Sequence, residues 1–453
     1  MIWSTKRGLW LWRVLLLLMS PLLAADNETY VRTSLDNGLE ILIQPVTSPL
    51  TTLQLVFRYG AFVEHPGENG WSRLHSRMFL RSSDDSLGQS RFHEQARSVG
   101  VDYRSHSREE WTALEFTLNP ESLESGLELL LQTARKPPLD RAVILREREM
   151  LLQSLTVMEA DPEFRLRRAA DRLLWGAAFA QKDLFGDHPS LQAASAEQLR
   201  LLQLRYIVPN NALLIVAGEV DPENALNSIE EIFGTWERGY DPFETRPLPG
   251  YFHLVENRDT VLVGPMASAE ILLAWQGPSQ LEDRDGVVAA AACAALLNLQ
   301  AGRFQTGLVH NGLLVRAKAE YRPRRNIGPF TIRATAPLEQ VQQAVNALRL
   351  EVELFNDPEY FPRRDLANAL AGLELQAGTS RDDLWSHVEE LAAGWALDGR
   401  EYYPAGQDSA ANTTMGAVRR CFSNYLVGQP LVTAVLVDES TARDLALTED
   451  GDQ

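Results

Sequence analysis

The chain has 453 residues, 45% hydrophobic and 23% charged. This excludes a disordered or fibrous protein and allows about two to four globular domains at roughly 100–200 residues each. A formal charge of −18 excludes nucleic acid as the main partner, because an acidic surface repels a phosphate backbone.

The first 25 residues are basic at Lys6, Arg7 and Arg13 and then run apolar from Val14 to Ala25. This run is shorter than the roughly 20 residues that span a bilayer, so residues 1–25 read as a secretory signal peptide. Leu22 and Leu23 weaken the cleavage site, which leaves an N-terminal anchor as the alternative. Either way, residues 26 onward are expected to be exported.

TTLQLVFRYG (51–60) alternates and ends in a turn, so a strand is predicted. A turn, GAFVEHPGENG, and a helical run, GWSRLHSRMFLR, follow it. Next, ALEFTLNPESLESGLELLLQT (113–133) predicts a strand, a Pro and an amphipathic helix. AEILLAWQGP (269–278) and PFTIRATAPLEQVQQAVNALRLEV (329–352) repeat these two patterns some 217–218 residues on, with Pro337 answering Pro120. Two matches at one offset imply a duplication. GYDPFETRPLPG (239–250), with three prolines and two glycines, reads as the linker between a domain over 26–238 and a second over 251–453. Helices gathered in blocks between strands predict α+β halves, each a mainly antiparallel sheet packed with helices. Cys293 lies in the apolar AAACAALLNL and is expected to be a buried free thiol, as is Cys421.

Around the first turn the sequence resembles the pitrilysin/insulinase zinc metallopeptidases, whose strand, GxxxE–PG turn and H-x-x-E-H helix are matched here at Gly60, Glu64, Pro66, Gly67, Gly70 and Met78. In that motif two histidines one turn apart grip zinc and the glutamate activates its water. In this alignment the histidines fall on Arg73 and Arg77 and the base on Ser76, while His75 falls on no ligand position. EREMLLQSL (147–155) resembles the family's later helix. It keeps the first glutamate as Glu147, with Ser154 where the third ligand would stand. DHPSLQAASAEQLRLLQLRYIVPNNALLIVAGEVDPENALNSIEEIFGTW (187–236) follows the family's course closely, most like the two-lobed bacterial members and the mitochondrial processing peptidase subunits. In the second half, Val309 and Val315 of LVHNGLLV stand where a substrate-contacting Arg and Tyr would be, while Gly312 and Leu313 remain.

Arg73 and Arg77 are spaced i, i+4 and leave one helix face. The resemblance sets Glu147 opposite that face, so an ion pair replacing the metal is expected there. No two histidines are spaced for a helical metal site, and no G-x-S-x-G elbow occurs. His188, before Pro189, is expected to cap a helix. The resemblance therefore implies a periplasmic, non-catalytic peptidase homologue without a cofactor. It would be a subunit or substrate-binding partner of an active zinc-peptidase paralogue. A stand-alone module binding peptide or unfolded polypeptide is the first alternative, and a zinc metalloendopeptidase the second.

Overall fold

The computed structural model describes residues 30–81, 90–248, 250, 252–381, 383–398 and 412–445. The predicted signal segment 1–25 lies outside them. No helix among the described residues is long and apolar enough to cross a membrane.

Eleven strands among the described residues make two sheets. The first comprises β1 (Val31–Ser34), β2 (Glu40–Pro45), β3 (Thr51–Phe57), β4 (Asp102–Ser107), β5 (Thr112–Leu118) and β6 (Ala212–Gly218). Its order is β1-β2-β6-β3-β5-β4. The second comprises β7 (Arg258–Val263), β8 (Ala269–Ser279), β9 (Arg316–Tyr321), β10 (Ile327–Ala336) and β11 (Val432–Val437), in the order β7-β11-β8-β10-β9. Setting β1 aside, the orders are identical when β2 is matched with β7 and each later strand with its successor. Both sheets are antiparallel except at one equivalent pair, β2 with β6 and β7 with β11. The repeat read from two sequence patterns is thus a repeat of topology.

Successive side chains of a strand point to opposite faces, and here both faces are buried. Leu53, Leu55 and Phe57 of β3, Leu114, Phe116 and Leu118 of β5, and Leu214 and Val216 of β6 enter one core. Helices α1 (Trp71–Met78), α2 (Ser90–Val99), α3 (Leu123–Arg135) and α4 (Arg141–Glu159) pack side chains into it, as do the helices Ala196–Tyr206 and Pro222–Phe233. Ile271, Leu273 and Trp275 of β8 and Phe330 and Ile332 of β10 build the matching core of the second half. The helices Arg284–Leu297 and Val341–Glu353 pack there.

The opposite faces are covered by an exchange. Helix α5 (Pro162–Trp175) belongs in sequence to the first half, yet its Leu166, Ala170, Leu174 and Trp175 pack on Leu272, Ala274, Val432, Ala434 and Leu436 of the second sheet. The helix Leu384–Asp398 of the second half sets Val388, Leu391, Ala392, Trp395 and Ala396 against Leu42, Val56, Ala113, Leu213, Ile215 and Ala217 of the first. The i, i+4, i+8 spacing of α5 and the i, i+3, i+4, i+7, i+8 spacing of the other helix form the single apolar stripes this docking needs. Each large apolar side chain buried this way contributes about 1.5–3 kcal/mol.

The hairpin turns of the two halves also meet. Glu109, in the β4–β5 turn, bonds Lys182 at 3.0 Å and Arg324 of the β9–β10 turn at 2.5 Å. Beside it, Glu110 accepts the Arg325 N–H at 2.8 Å. The predicted linker is docked rather than free. Asp241 caps the short helix Pro242–Thr245, Phe243 packs against Phe62 and Tyr206, and Arg246 pairs with Glu68 at 2.6 Å. Cys293 and Cys421 are buried free thiols.

Candidate functional site

Helix α1 is held at its first turn by the residues before it. Gly70, at φ +92°, makes the left-handed step into the helix, and a Cβ there would meet the Gly186 Cα at 2.7 Å. Only glycine allows the two loops to approach so closely. The buried Glu64 accepts the Gly70 N–H at 2.8 Å and the Ser72 N–H at 2.7 Å. It satisfies two of the amides that a helix start leaves open, at the end where negative charge is favoured. Burial pushes its carboxyl up to about 8, opposed by the bonds from Ser72 and Gly70. Trp71 Nε1 donates to the Ser190 carbonyl at 2.7 Å. The match at Glu64 and Gly70 is therefore a device that aims α1.

The inner face of α1 buries His75. Its Nε2 bonds Gln203 Oε1 at 2.9 Å, and its ring packs edge-on against Tyr59 and Phe79. Burial pulls its pKa down to about 4, so it is a neutral core residue whose ring nitrogen is engaged by Gln203. Ser76 is buried, and its hydroxyl donates to the Arg73 carbonyl at 2.9 Å, one turn back.

The other face meets α4. Arg77 Nε donates to Glu147 Oε2 at 2.8 Å, and Arg81 Nε donates to Glu147 Oε1 at 2.6 Å. Burial pushes the Glu147 carboxyl up. The bond and charge of Arg81, followed by those of Arg77, reverse this and hold it below the usual carboxylate range. Arg81 was missed in the sequence, although 73, 77 and 81 form an i, i+4, i+8 series. It lies beyond the last residue of α1, where the chain turns.

Arg77 thus makes the expected pair with Glu147, while Arg73, the other arginine expected at this ion pair, does not join the group. Its guanidinium lies 5.4 Å from the centre of the Phe185 ring. Phe185 stands in a loop fixed by Asp183, which accepts from Arg168 at 2.8 Å, Asn69 at 3.0 Å and the Phe185 N–H at 3.0 Å. Ser154 is exposed on α4. His188 does not cap its helix. Asp187 does, and His188 bonds Glu159 at 3.1 Å.

These residues do not fit a divalent cation. Two permanently charged guanidiniums occupy the aligned histidine positions, and both oxygens of the remaining carboxylate are committed to arginine. No group of three His, Cys, Asp or Glu side chains placed to hold a metal occurs among the described residues. In the second half, Val309 is half-buried against the core and Val315 is exposed, with its N–H bonded to the Thr335 carbonyl. Neither side chain can bond a peptide backbone.

Comparison with known proteins agrees with this geometry in fold. The family described as Insulinase (Peptidase family M16) matches residues 41–185, and that described as Peptidase M16 inactive domain matches residues 193–373. A curated relative is the "Uncharacterized zinc protease" of Rickettsia bellii (strain RML369-C). It is 18% identical over 383 residues, which cover 83% of this chain and 90% of that protein. A protease from Helicobacter pylori superposes with a TM-score of 0.78 at 16% identity, covering 90% of this chain and all of that one. The periplasmic protease PqqL from Escherichia coli superposes at 0.75 with 17% identity, covering 93% of this chain and 49% of that one. Fold and matched segments define a two-lobed peptidase-type protein. The chain belongs to the pitrilysin/insulinase-type (M16) peptidase family.

Proposed function

We propose that the chain is a non-catalytic peptidase homologue, exported to the periplasm, that serves as subunit or substrate-binding partner of an active zinc-peptidase paralogue. The observation that carries this reading is that the three aligned ligand positions hold Arg73, Arg77 and Ser154, with Arg77 paired to Glu147 and Ser154 exposed on α4, where a zinc peptidase needs three protein ligands. Export is supported by the apolar segment after three basic residues and by the periplasmic location in the description of PqqL. In this reading the paralogue brings the zinc, and this chain brings one wall of a substrate chamber.

The test is metal analysis and peptidase assay of the purified protein, alone and mixed with the paralogue, together with sedimentation of the mixture. We expect no stoichiometric zinc, no cleavage by this chain alone, and a mixed particle with altered activity. One zinc per chain with chelator-sensitive cleavage would return the protein to the zinc endopeptidases. A fully active paralogue that ignores this chain would leave the stand-alone peptide-binding module.

A further inference from the structure

The chain is strongly acidic overall, yet the face of α1 and its surroundings are locally basic. No acidic residue occurs between 71 and 81, while Arg73, Arg77 and Arg81 do. Arg167 reaches the same aromatic ring as Arg73, with its guanidinium 5.4 Å from the centre of Phe185. Arg168 stands behind it on Asp183.

The carboxylates nearby are already engaged. Glu147 gives its oxygens to Arg77 and Arg81. Asp183 gives one oxygen to Arg168 and Asn69 and the other to the Phe185 amide. Glu159 serves His188 at 3.1 Å and Arg168 at 3.6 Å. Arg167 also has the charges of Asp171 and Glu163 near it.

Arg73 is half-buried, and its Nη1 is buried with no hydrogen-bond partner among the described residues. Burial and the neighbouring Arg77 both act against its charge, and only Asp183 favours it. The Phe185 ring beside it, 5.4 Å away at its centre, offers no oxygen or nitrogen acceptor to the guanidinium N–H groups. Arg77 uses Nε on Glu147, and its side chain remains 31% exposed. Two guanidiniums one helical turn apart, with donors to spare, are a fork for a planar oxyanion.

We propose that the Arg73–Arg77 face of α1 binds a carboxylate carried by an extended acidic peptide. This rests on the reading that the chain holds polypeptide, and it adds which polypeptide. Active relatives place a cation and its hydroxide at this position. Here the protein supplies fixed positive charge, and a segment bearing Asp, Glu or a chain end supplies the missing counter-charge. Desolvated charge pairs of this kind discriminate strongly, because the neutral analogue leaves the guanidinium uncompensated.

The experiment is fluorescence anisotropy on the full exported chain with a labelled ten-residue peptide. One version has a central Glu-Glu pair and both ends blocked, a second has Gln-Gln, and a third has Gln-Gln with a free C-terminus. We expect the Glu peptide to bind about tenfold or more tighter than its Gln twin. The preference should weaken with salt, fall in Arg73→Gln and be partly restored in Arg73→Lys. Thermal melts of both variants, matching the parent, will show that they fold. Recovery of tight binding by the third peptide alone would assign the carboxylate to a chain end, and recovery by the Glu peptide alone to a side chain. Equal binding of all three, or a preference indifferent to Arg73→Gln, would overturn the proposal while leaving the polypeptide-binding reading intact. Failure of every peptide to bind would overturn both.

Discussion

At Glu147 one carboxylate serves two guanidiniums, so neutralising it strands both. Glu147→Gln keeps the shape and removes the charge, leaving Arg77 and Arg81 facing each other across a nearly buried amide. Breaking a buried pair in this way costs about 3–5 kcal/mol. Arg77 is 31% exposed, and solvent screening lowers the expected loss to about 2–3 kcal/mol, read as a shift in urea midpoint near neutral pH. The pH dependence has a definite sign. A carboxyl held below its ordinary range stabilises the fold above that range, and the effect vanishes as pH falls through the depressed value. The gap between wild type and variant must therefore close in acid. The sequence could set Arg73 and Arg77 on one helix face because i, i+4 is local geometry. It could not send them to different partners. Arg73 follows Phe185, held in place by Asp183, Asn69 and Arg168, and those contacts exist only after residues 69, 168 and 183 have met.

The docking of the helix Leu384–Asp398 on the first sheet is polar as well as apolar. Gln54 of β3 donates to Glu115 of β5 at 3.2 Å and to Glu389 of the helix at 3.1 Å. Arg104 pairs with Glu115 at 3.1 Å and lies over Trp385, and His106 and Arg108 both pair with Glu389. Burial pushes the Glu115 carboxyl up to about 7, opposed by Arg104 and assisted by Glu389. A raised carboxyl binds its proton more tightly folded than unfolded. Stability from this group is full in acid and is lost as pH rises from the ordinary carboxylate range through about 7. Glu115→Gln carries no charge at any pH. Its melting temperature should match the wild type near pH 4 and exceed it near pH 8, and a constant difference at both would contradict this assignment. Strands such as β3 and β5 were legible because large apolar residues alternate with Thr, Gln or Glu along most of TTLQLVF and TALEFTL, although both faces are buried. The destination of α5 and of Leu384–Asp398 was not. An amphipathic stripe states that a helix is covered and leaves open which sheet covers it.

For the whole molecule, the duplication was readable at a constant offset, and the two sheets repeat it. The sequence did not show that the linker would be held by Phe243 and Arg246, because both contacts join it to residues far back in the first half. The cluster of Glu109, Glu110, Lys182 and Arg324 adds a charged seam where the two hairpins meet. Burial pushes Glu110 up to about 7.

The exchanged helices make each half the custodian of the other. Neither sheet can close both its faces from its own stretch of chain, so damage is expected to appear at a distance from its cause. Val388 belongs to the second half by sequence and is fully buried on the first sheet. A charge there, in Val388→Asp, should raise amide hydrogen exchange first in β3 and β6 while β8 and β10 stay protected. Loss of protection confined to β8–β11 would refute this. Each half is therefore expected to leave one face of its sheet open when it is produced without the other.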